Sequence, residues 1–330
     1  MMGILRNIFT LIHAVVILLL AATMLNAYIP PKVFPYLNFL SLAFPFLMIF
    51  NILLCLFWLI SWRKRAIVFL LISTLFLTPV RRWVNFSETK KLPEEFKMVT
   101  FNNKVDDYGK ENVENYVNSF DADIVLLQEA GYDRLGNPEL KSLENTFHNS
   151  IVSFYSKYKI KEKGSIQFVS NGDAIYADVE IKGKIIRFIN VYLEPFQLHK
   201  SMVKPTSNID ENEEKAKGLV RKFLPVFKTH QEQVEILKDF IKNSPYPVVL
   251  AGDFNSVPNS FEYYTISNLL DDAFLTAGNG SATSFHDYKF PIRIDYVFTS
   301  KGIEPVSYKV DRSKILSDHN PVIAEFKFKD

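Results

Sequence analysis

The first 83 residues contain no aspartate or glutamate, and this gap divides the chain in two. All 36 acidic residues lie in 84–330 with 31 of the 38 Lys and Arg, so that part carries −5 within a chain of +2. Cysteine is nearly absent: the single Cys55 lies in an apolar run, which excludes an internal disulfide and leaves the redox compartment unread. No internal repeat or low-complexity tract is present. The 84–330 part also lacks a basic run with interleaved aromatics, the pattern of a nucleic-acid-binding surface, and it is net acidic. Both argue against nucleic acid as the favoured partner, although a local basic groove is compatible with them.

The acid-free part holds three apolar segments. Residues 8–29 carry only His13 and Asn26 as strongly polar members, and residues 37–62 carry no charge. Each exceeds the roughly 20 residues that cross a hydrocarbon core. The third, 66–80, is shorter and lies between Arg65 and Arg81; it spans with little tilt if the arginines snorkel, with Trp83 at the interface. Arg6 before an apolar run also suits a cleaved signal peptide, but two further apolar segments favour a multi-pass anchor. The expectation is therefore three transmembrane helices in 1–83. Lys and Arg are concentrated at Arg6 and 62–65, against Lys32 alone in the first loop, which puts the amino terminus in the cytoplasm. Three crossings then leave the soluble part outside the cytoplasm, and failure of the third would reverse its side. Pro45 and Asn51 suit a packed helix pair, and nothing marks a transport path.

After a linker at 84–95 the pattern becomes alternating strands and helices, one soluble domain over 96–330. Residues 96–101 read as a strand ending in Asn102-Asn103, 110–120 as a helix with Val113, Tyr116, Val117 and Phe120 on one face, and 124–127 as a buried strand ending in Gln128-Glu129. The middle is β-rich, with strands at 151–155, 174–181 and 185–193 and a hairpin signal at Lys182-Gly183. A charged stretch at 207–217 reads as an exposed loop or a helix start. Leu219, Phe223, Phe227, Val234, Leu237 and Ile241 then mark a long amphipathic segment, broken or kinked at Pro225. It leads to PVVLAGDFNSVP at 247–258, a buried strand at Val248–Leu250 followed by a turn from Gly252 that presents Asp253 and Asn255 on one side and Phe254 on the other. A short helix from Ser260, strands at 293–298, 305–310 and 321–328, and the run Ser317-Asp318-His319-Asn320 complete the chain.

The ordered set VTFNN with Asn102, IVLLQE with Glu129, AGDFN with Asp253 and Asn255, RIDYVF with Asp295, and SDHNP with Asp318 and His319 resembles the endonuclease/exonuclease/phosphatase superfamily over 96–330. The resemblance implies a four-layered α/β sandwich, two mainly antiparallel sheets face to face with helices outside. It implies a metal-dependent phosphoric ester hydrolase, with Glu129 and Asn102 as Mg²⁺ ligands, Mn²⁺ as the alternative ion, and Asp318 supporting the metal or the water. Asp253 would orient or deprotonate the attacking water, and Asn255 would bond the phosphate. His319, held by Asp295, would donate to a phosphoryl oxygen. These residue types suit a reaction that depends on positioning and on neutralising dispersed negative charge.

One position departs from much of that family: where many members carry Asn-x-His-Leu, this chain has Asn190-Val191-Tyr192-Leu193. Tyr192, or His199 nearby, becomes the candidate for protonating the leaving oxygen; His148, His230 and His286 read as structural or surface residues. Three functions follow from these residues. The first is a membrane-anchored phosphoesterase acting on lipid head groups or small phosphoesters. The second is an extracytoplasmic nuclease, and the third a catalytically impaired member that binds a partner. No protein partner is inferable.

Overall fold

The computed structural model describes the chain except residues 1, 62, 88–92, 105–106, 132–135, 169, 288–290 and 330. Trp62 and part of the expected linker lie outside the described residues. The chain begins with helices α1 (Met2–Met24) and α2 (Tyr36–Ser61), joined through a 3-10 turn at Leu25–Ala27. They pack through Val16, Leu20, Phe44 and Leu54. Residues 4–27 and 36–61 are long and apolar enough to cross a membrane, with mean hydropathies of 2.6 and 2.4.

The third apolar segment corrects the expectation of three transmembrane helices to two candidates. It is α3 (Arg63–Ser73), a 3-10 turn at Thr74–Phe76, and α4 (Leu77–Arg81). Its interruption has local causes: Ser73 and Thr74 bond back to Phe69 O and Leu71 O at 2.7 Å, and Pro79 has no N–H to give to the preceding turn. Arg65 donates to Arg6 O at 3.1 Å, so α3 starts beside the start of α1.

The expected linker opens with a strand, β1 (Val84–Phe86). The soluble part then builds two six-stranded sheets. One sheet contains β2 (Phe96–Asn102), β3 (Ile124–Gln128), β4 (Asn145–Asn149), β5 (Val152–Ser156), and the later β13 (Ile303–Val310) and β14 (Val322–Phe328), ordered β13-β14-β2-β3-β5-β4. The other contains β6 (Ile160–Ile166), β7 (Asp173–Ile181), β8 (Lys184–Tyr192), β9 (Val248–Asp253), β10 (Asp271–Asp272) and β12 (Asp295–Thr299), ordered β10-β12-β9-β8-β7-β6. A small ribbon pairs β1 with β11 (Asn279–Ser281). Only β2/β3 and β8/β9 pair in parallel among these strands.

The sheets face each other through Met98, Leu126 and Phe154 on one side and Ile175, Phe188 and Ala251 on the other. Helix α5 (Lys110–Asn118) covers the outside of the first sheet with Val113 and Val117. Helices α7 (Ile209–Lys242) and α8 (Phe261–Ser267) cover the second with Val234, Leu237, Ile241, Tyr263 and Ile266. The four-layered α/β sandwich is therefore present, with α6 (Lys200–Val203) and α9 (Ala273–Ala277) as short additions.

Two local expectations change. Helix α7 runs unbroken through Pro225, whose ring lies on the exposed face while Phe223 and Phe227 are buried. Strand β9 continues to Asp253 rather than turning at Gly252. Gly252 has φ +142, and a Cβ there would meet Val191 O at 2.0 Å, so only glycine lets the parallel β8 and β9 approach this closely.

The loop end of the α1/α2 hairpin is docked on the soluble domain. Asn26 Nδ2 and Ser41 Oγ donate to Asn259 O at 3.0 and 2.7 Å, Asn38 Nδ2 donates to the Glu262 carboxylate at 3.0 Å, and Arg82 donates to Asn259 Oδ1 at 2.7 Å. Lys32 pairs with Glu232 at 2.7 Å, and the Phe39 ring packs on Phe223 and Phe227.

Candidate active site

The two parallel strand pairs end side by side, and four of the expected residues sit at those ends. Asn102 closes β2, Glu129 follows β3, Tyr192 closes β8 and Asp253 closes β9. Asp295 opens β12, in register with Asp253, and His319 arrives on the loop before β14. The inner floor is a polar tie between the sheets. Gln128 Nε2 donates to Asn190 Oδ1 at 2.6 Å, and Asn190 Nδ2 donates to Leu127 O and Ser153 O.

Above this floor the side chains touch in series. Tyr192 Oη donates to Glu129 Oε1 at 2.9 Å. Asn102 Nδ2 donates at 3.0 Å to both Glu129 Oε1 and Asp253 Oδ2. His319 Nε2 lies 3.7 Å from Asp253 Oδ2, while its Nδ1 is 2.8 Å from Asp295 Oδ2. Asn255 donates its backbone N–H to Asp253 Oδ1 at 2.8 Å and its Nδ2 to Leu193 O at 3.0 Å. Asp318 pairs with Lys104 at 2.9 Å on the rim. His199 is exposed at the start of α6, and His230 is buried between α7 and α8.

Glu129 and Asn255 have φ of 50° and 46°, the left-handed region that non-glycine residues rarely occupy. Such conformations persist where the surroundings over-determine them, and they cluster at functional sites.

The electrostatics favour a charged imidazole. Burial alone would lower His319, but Asp295 and Asp253 reverse that and carry it from 6.5 to about 10. Burial, reinforced by Asp295 and opposed by His319, raises Asp253 from 3.8 to about 7. Burial together with the charges of Glu129 and Asp253 raises Tyr192 far above its ordinary value, so its hydroxyl stays a neutral donor. Burial also pushes Asp318 upward, but His319 and Lys104 outweigh it and hold Asp318 below the usual carboxylate range.

Glu129 and Asp318 offer carboxylate oxygens that are not fully buried, a donor type suited to a hard divalent cation. Asn102 fits less directly, because its Oδ1 accepts Lys104 N at 3.1 Å and its amide nitrogen faces both carboxylates. In this arrangement it holds Glu129 and Asp253. The ligand atoms of Asp253, Asp295 and His319 also lie within 4.8 Å of one another, close enough to hold a metal. A protonated imidazole has no lone pair for an ion, so His319 suits proton donation better.

Three supporting residues carried no signal of their own. Ser317 Oγ donates to Asn102 O and accepts His319 N, joining the ends of two motifs. Ser284 Oγ accepts Asp295 N at 3.1 Å, and Lys104 holds Asp318.

The family model described as Endonuclease/Exonuclease/phosphatase family matches residues 99–319, and one described as a domain of unknown function matches 6–83. No curated protein matches. Among solved structures, an endonuclease/exonuclease/phosphatase from Beutenbergia cavernae is similar at 15% identity and TM-score 0.53, covering 72% of each chain. The human Nocturnin catalytic domain with bound sulfate anion is similar at 15% identity and TM-score 0.50, over 71% of this chain and 94% of that one. D. rerio TDP2 complexed with a single-strand DNA product matches at 16% identity and TM-score 0.50, over 70% and 98%. At these identities the likeness is one of fold.

Proposed function

The chain belongs to the endonuclease/exonuclease/phosphatase family, and on that premise we propose that it is a membrane-anchored, divalent-metal-dependent phosphoric ester hydrolase working at the bilayer surface. Residues 96–330 are the catalytic unit in this reading and 1–83 the anchor. The observation that carries it is the series of contacts Tyr192, Glu129, Asn102, Asp253, His319, Asp295, gathered from five strand ends and one loop into one cluster.

In this reading Asp253 accepts the proton of the attacking water, and Asn255 presents its second amide hydrogen to a phosphoryl oxygen. His319 donates from Nε2 as charge grows on the phosphoryl group, and Asp295 at Nδ1 keeps the ring charged and oriented. Tyr192 spends its hydrogen on Glu129 and so orients it. Glu129 and Asp318 would hold Mg²⁺ or Mn²⁺ with Asn102 steadying Glu129; the ion would neutralise phosphoryl oxygen charge.

The anchor reading is supported by outward-facing apolar side chains such as Leu11, Leu18, Ile49, Ile60 and Leu71, far more than a water-soluble face carries. Orientation follows from docking instead of from counting crossings. In this reading the domain is bonded to the hairpin's loop end, opposite Arg6 and Arg65, and lies outside the cytoplasm when the basic end is cytoplasmic; residues 63–81, which start beside Arg6 and lead to Arg82 on Asn259, then carry the chain back across the bilayer as an interrupted third pass. A cysteine at exposed Lys301 in a Cys55→Ser chain should react with an impermeant thiol reagent on intact cells; labelling only after lysis would reverse the side.

A lipid head group is the favoured substrate class, because Asn259, bonded to the hairpin, is four residues after Asn255. That length of chain reaches about 14 Å at most. Purified full-length chain with Mg²⁺ should hydrolyse short-chain phospholipids in preference to plasmid DNA, with activity lost in His319→Ala. Salt-sensitive DNA cleavage without lipid turnover would transfer the assignment to a nuclease.

A further inference from the structure

The hairpin's polar residues have no part in crossing a bilayer, yet Asn26, Asn38 and Ser41 are all buried against the soluble domain. Their partners lie in the segment that follows Asp253. Asn259, fully buried with φ +70, offers its carbonyl to Ser41 and Asn26. Asn38 Oδ1 accepts Phe261 N at 3.1 Å, acting as a cap from another segment for α8, while its Nδ2 reaches Glu262. Buried Glu262 lies 2.8 Å from His230 Nδ1, and His230 Nε2 donates to Glu194 O at 2.8 Å. Glu194 follows Leu193, whose carbonyl holds the Asn255 amide. The two segments carrying Tyr192 and Asn255 are therefore bound through one buried network to α2.

Segment 254–260 includes two non-glycine residues in left-handed conformations, Asn255 and Asn259. Each is unfavourable alone and persists only while its surroundings over-determine it. The domain supplies the bonds at Asn255; the hairpin and Arg82 supply those at Asn259.

We propose that Asn38 and Ser41 are positioning residues of the active site: the membrane hairpin holds 254–260 in the shape that presents Asn255, so hydrolysis depends on the docked anchor. This rests on the hydrolase reading above. In the full chain in detergent micelles, Asn38→Ala/Ser41→Ala should lower kcat by about 10- to 100-fold with KM little changed, as expected when a group is misplaced by about 1 Å. Ser41→Thr, which keeps the hydroxyl, should retain kcat. Amide hydrogen exchange across 254–260 should quicken by about tenfold in the double variant. Unchanged exchange there, or full kcat in the double variant, would overturn the proposal. Quickened exchange in a protein whose unmodified form hydrolyses no phosphoester would keep the coupling and sink the hydrolase reading.

Discussion

Replacing Asp295 with asparagine tests the acid directly, because the amide keeps the shape and removes the charge. Asp295 Oδ2 lies 2.8 Å from His319 Nδ1, and the asparagine oxygen can still accept from that nitrogen. What changes is the balance on the ring. Burial lowers His319, and Asp295 is the largest of the charges that lift it to about 10. With that charge gone, burial is opposed mainly by Asp253, and the ring falls toward the ordinary imidazole range of about 6.5. At about pH 8 the protonated fraction then drops from nearly all to roughly 3%, so kcat/KM should fall about 30-fold or more. The loss should shrink as pH falls, since the neutral ring regains its proton. Initial rates on bis(p-nitrophenyl) phosphate at saturating Mg²⁺, followed from about pH 5.5 to about pH 10, should show the alkaline limb moving from near 10 toward neutrality. An unchanged alkaline limb and unchanged rate at about pH 8 would refute the acid role of His319.

Asp253→Asn should abolish hydrolysis while raising the melting temperature at about pH 8. Its folded value of about 7 lies above the ordinary 3.8, so the stability it contributes is greatest below 3.8 and is lost as pH rises through 7; asparagine removes that loss, worth about 1–2 kcal/mol. A lower melting point at about pH 8 than the unmodified chain would contradict this. Glu129→Gln should weaken Mg²⁺ binding by at least about tenfold in calorimetric titration; unaltered affinity would place the ion elsewhere. Tyr192→Phe should cost about tenfold in Mg²⁺ affinity by freeing Glu129, with kcat at saturating metal within about tenfold, whereas a large loss of kcat alone would make Tyr192 the acid for the leaving group.

The residues at the strand ends were legible because each motif joins an apolar run to a polar stop, and burial of the run fixes where the stop must lie. The strand-end positions of Asn102, Glu129 and Asp253 follow from that, whereas their assignment to one site came from the ordered motifs taken together. Strands β4 and β6 were not legible. Both lie at sheet edges and are polar, β4 evenly half-buried and β6 mostly exposed, so neither shows the alternation of apolar and polar residues that marks a strand with one buried face. The interruption of the third apolar segment leaves hydropathy unchanged, since it arises from Ser73, Thr74 and Pro79. Pro225 sits on the exposed side of a helix whose other side is buried at Phe223 and Phe227, and packing outweighs one missing N–H. The docking of the α1/α2 hairpin was invisible because Ser41 and Asn259 are 218 residues apart, and polar residues in apolar runs announce no partner.

In the proposed hydrolase, the charge balance of the site would account for a cation requirement. Above about pH 7, where Asp253 is ionised, Glu129, Asp253 and Asp295 are three carboxylates around one imidazolium, and the nearby Asp318 is balanced by Lys104. A phosphate brought to within about 4 Å of an unbalanced carboxylate meets a repulsion of about 4 kcal/mol at an effective dielectric near 20, roughly a thousandfold in affinity. His319 is already committed to Asp295 on one face and turned toward Asp253 on the other, so it offsets little of that excess. The same excess that repels phosphate attracts a divalent cation, and Glu129 and Asp318 are the carboxylates open to it. On the proposed reading the buried pair Asp253 and Asp295 would manage protons while the less buried Glu129 and Asp318 would serve the ion, a division of labour that follows from depth.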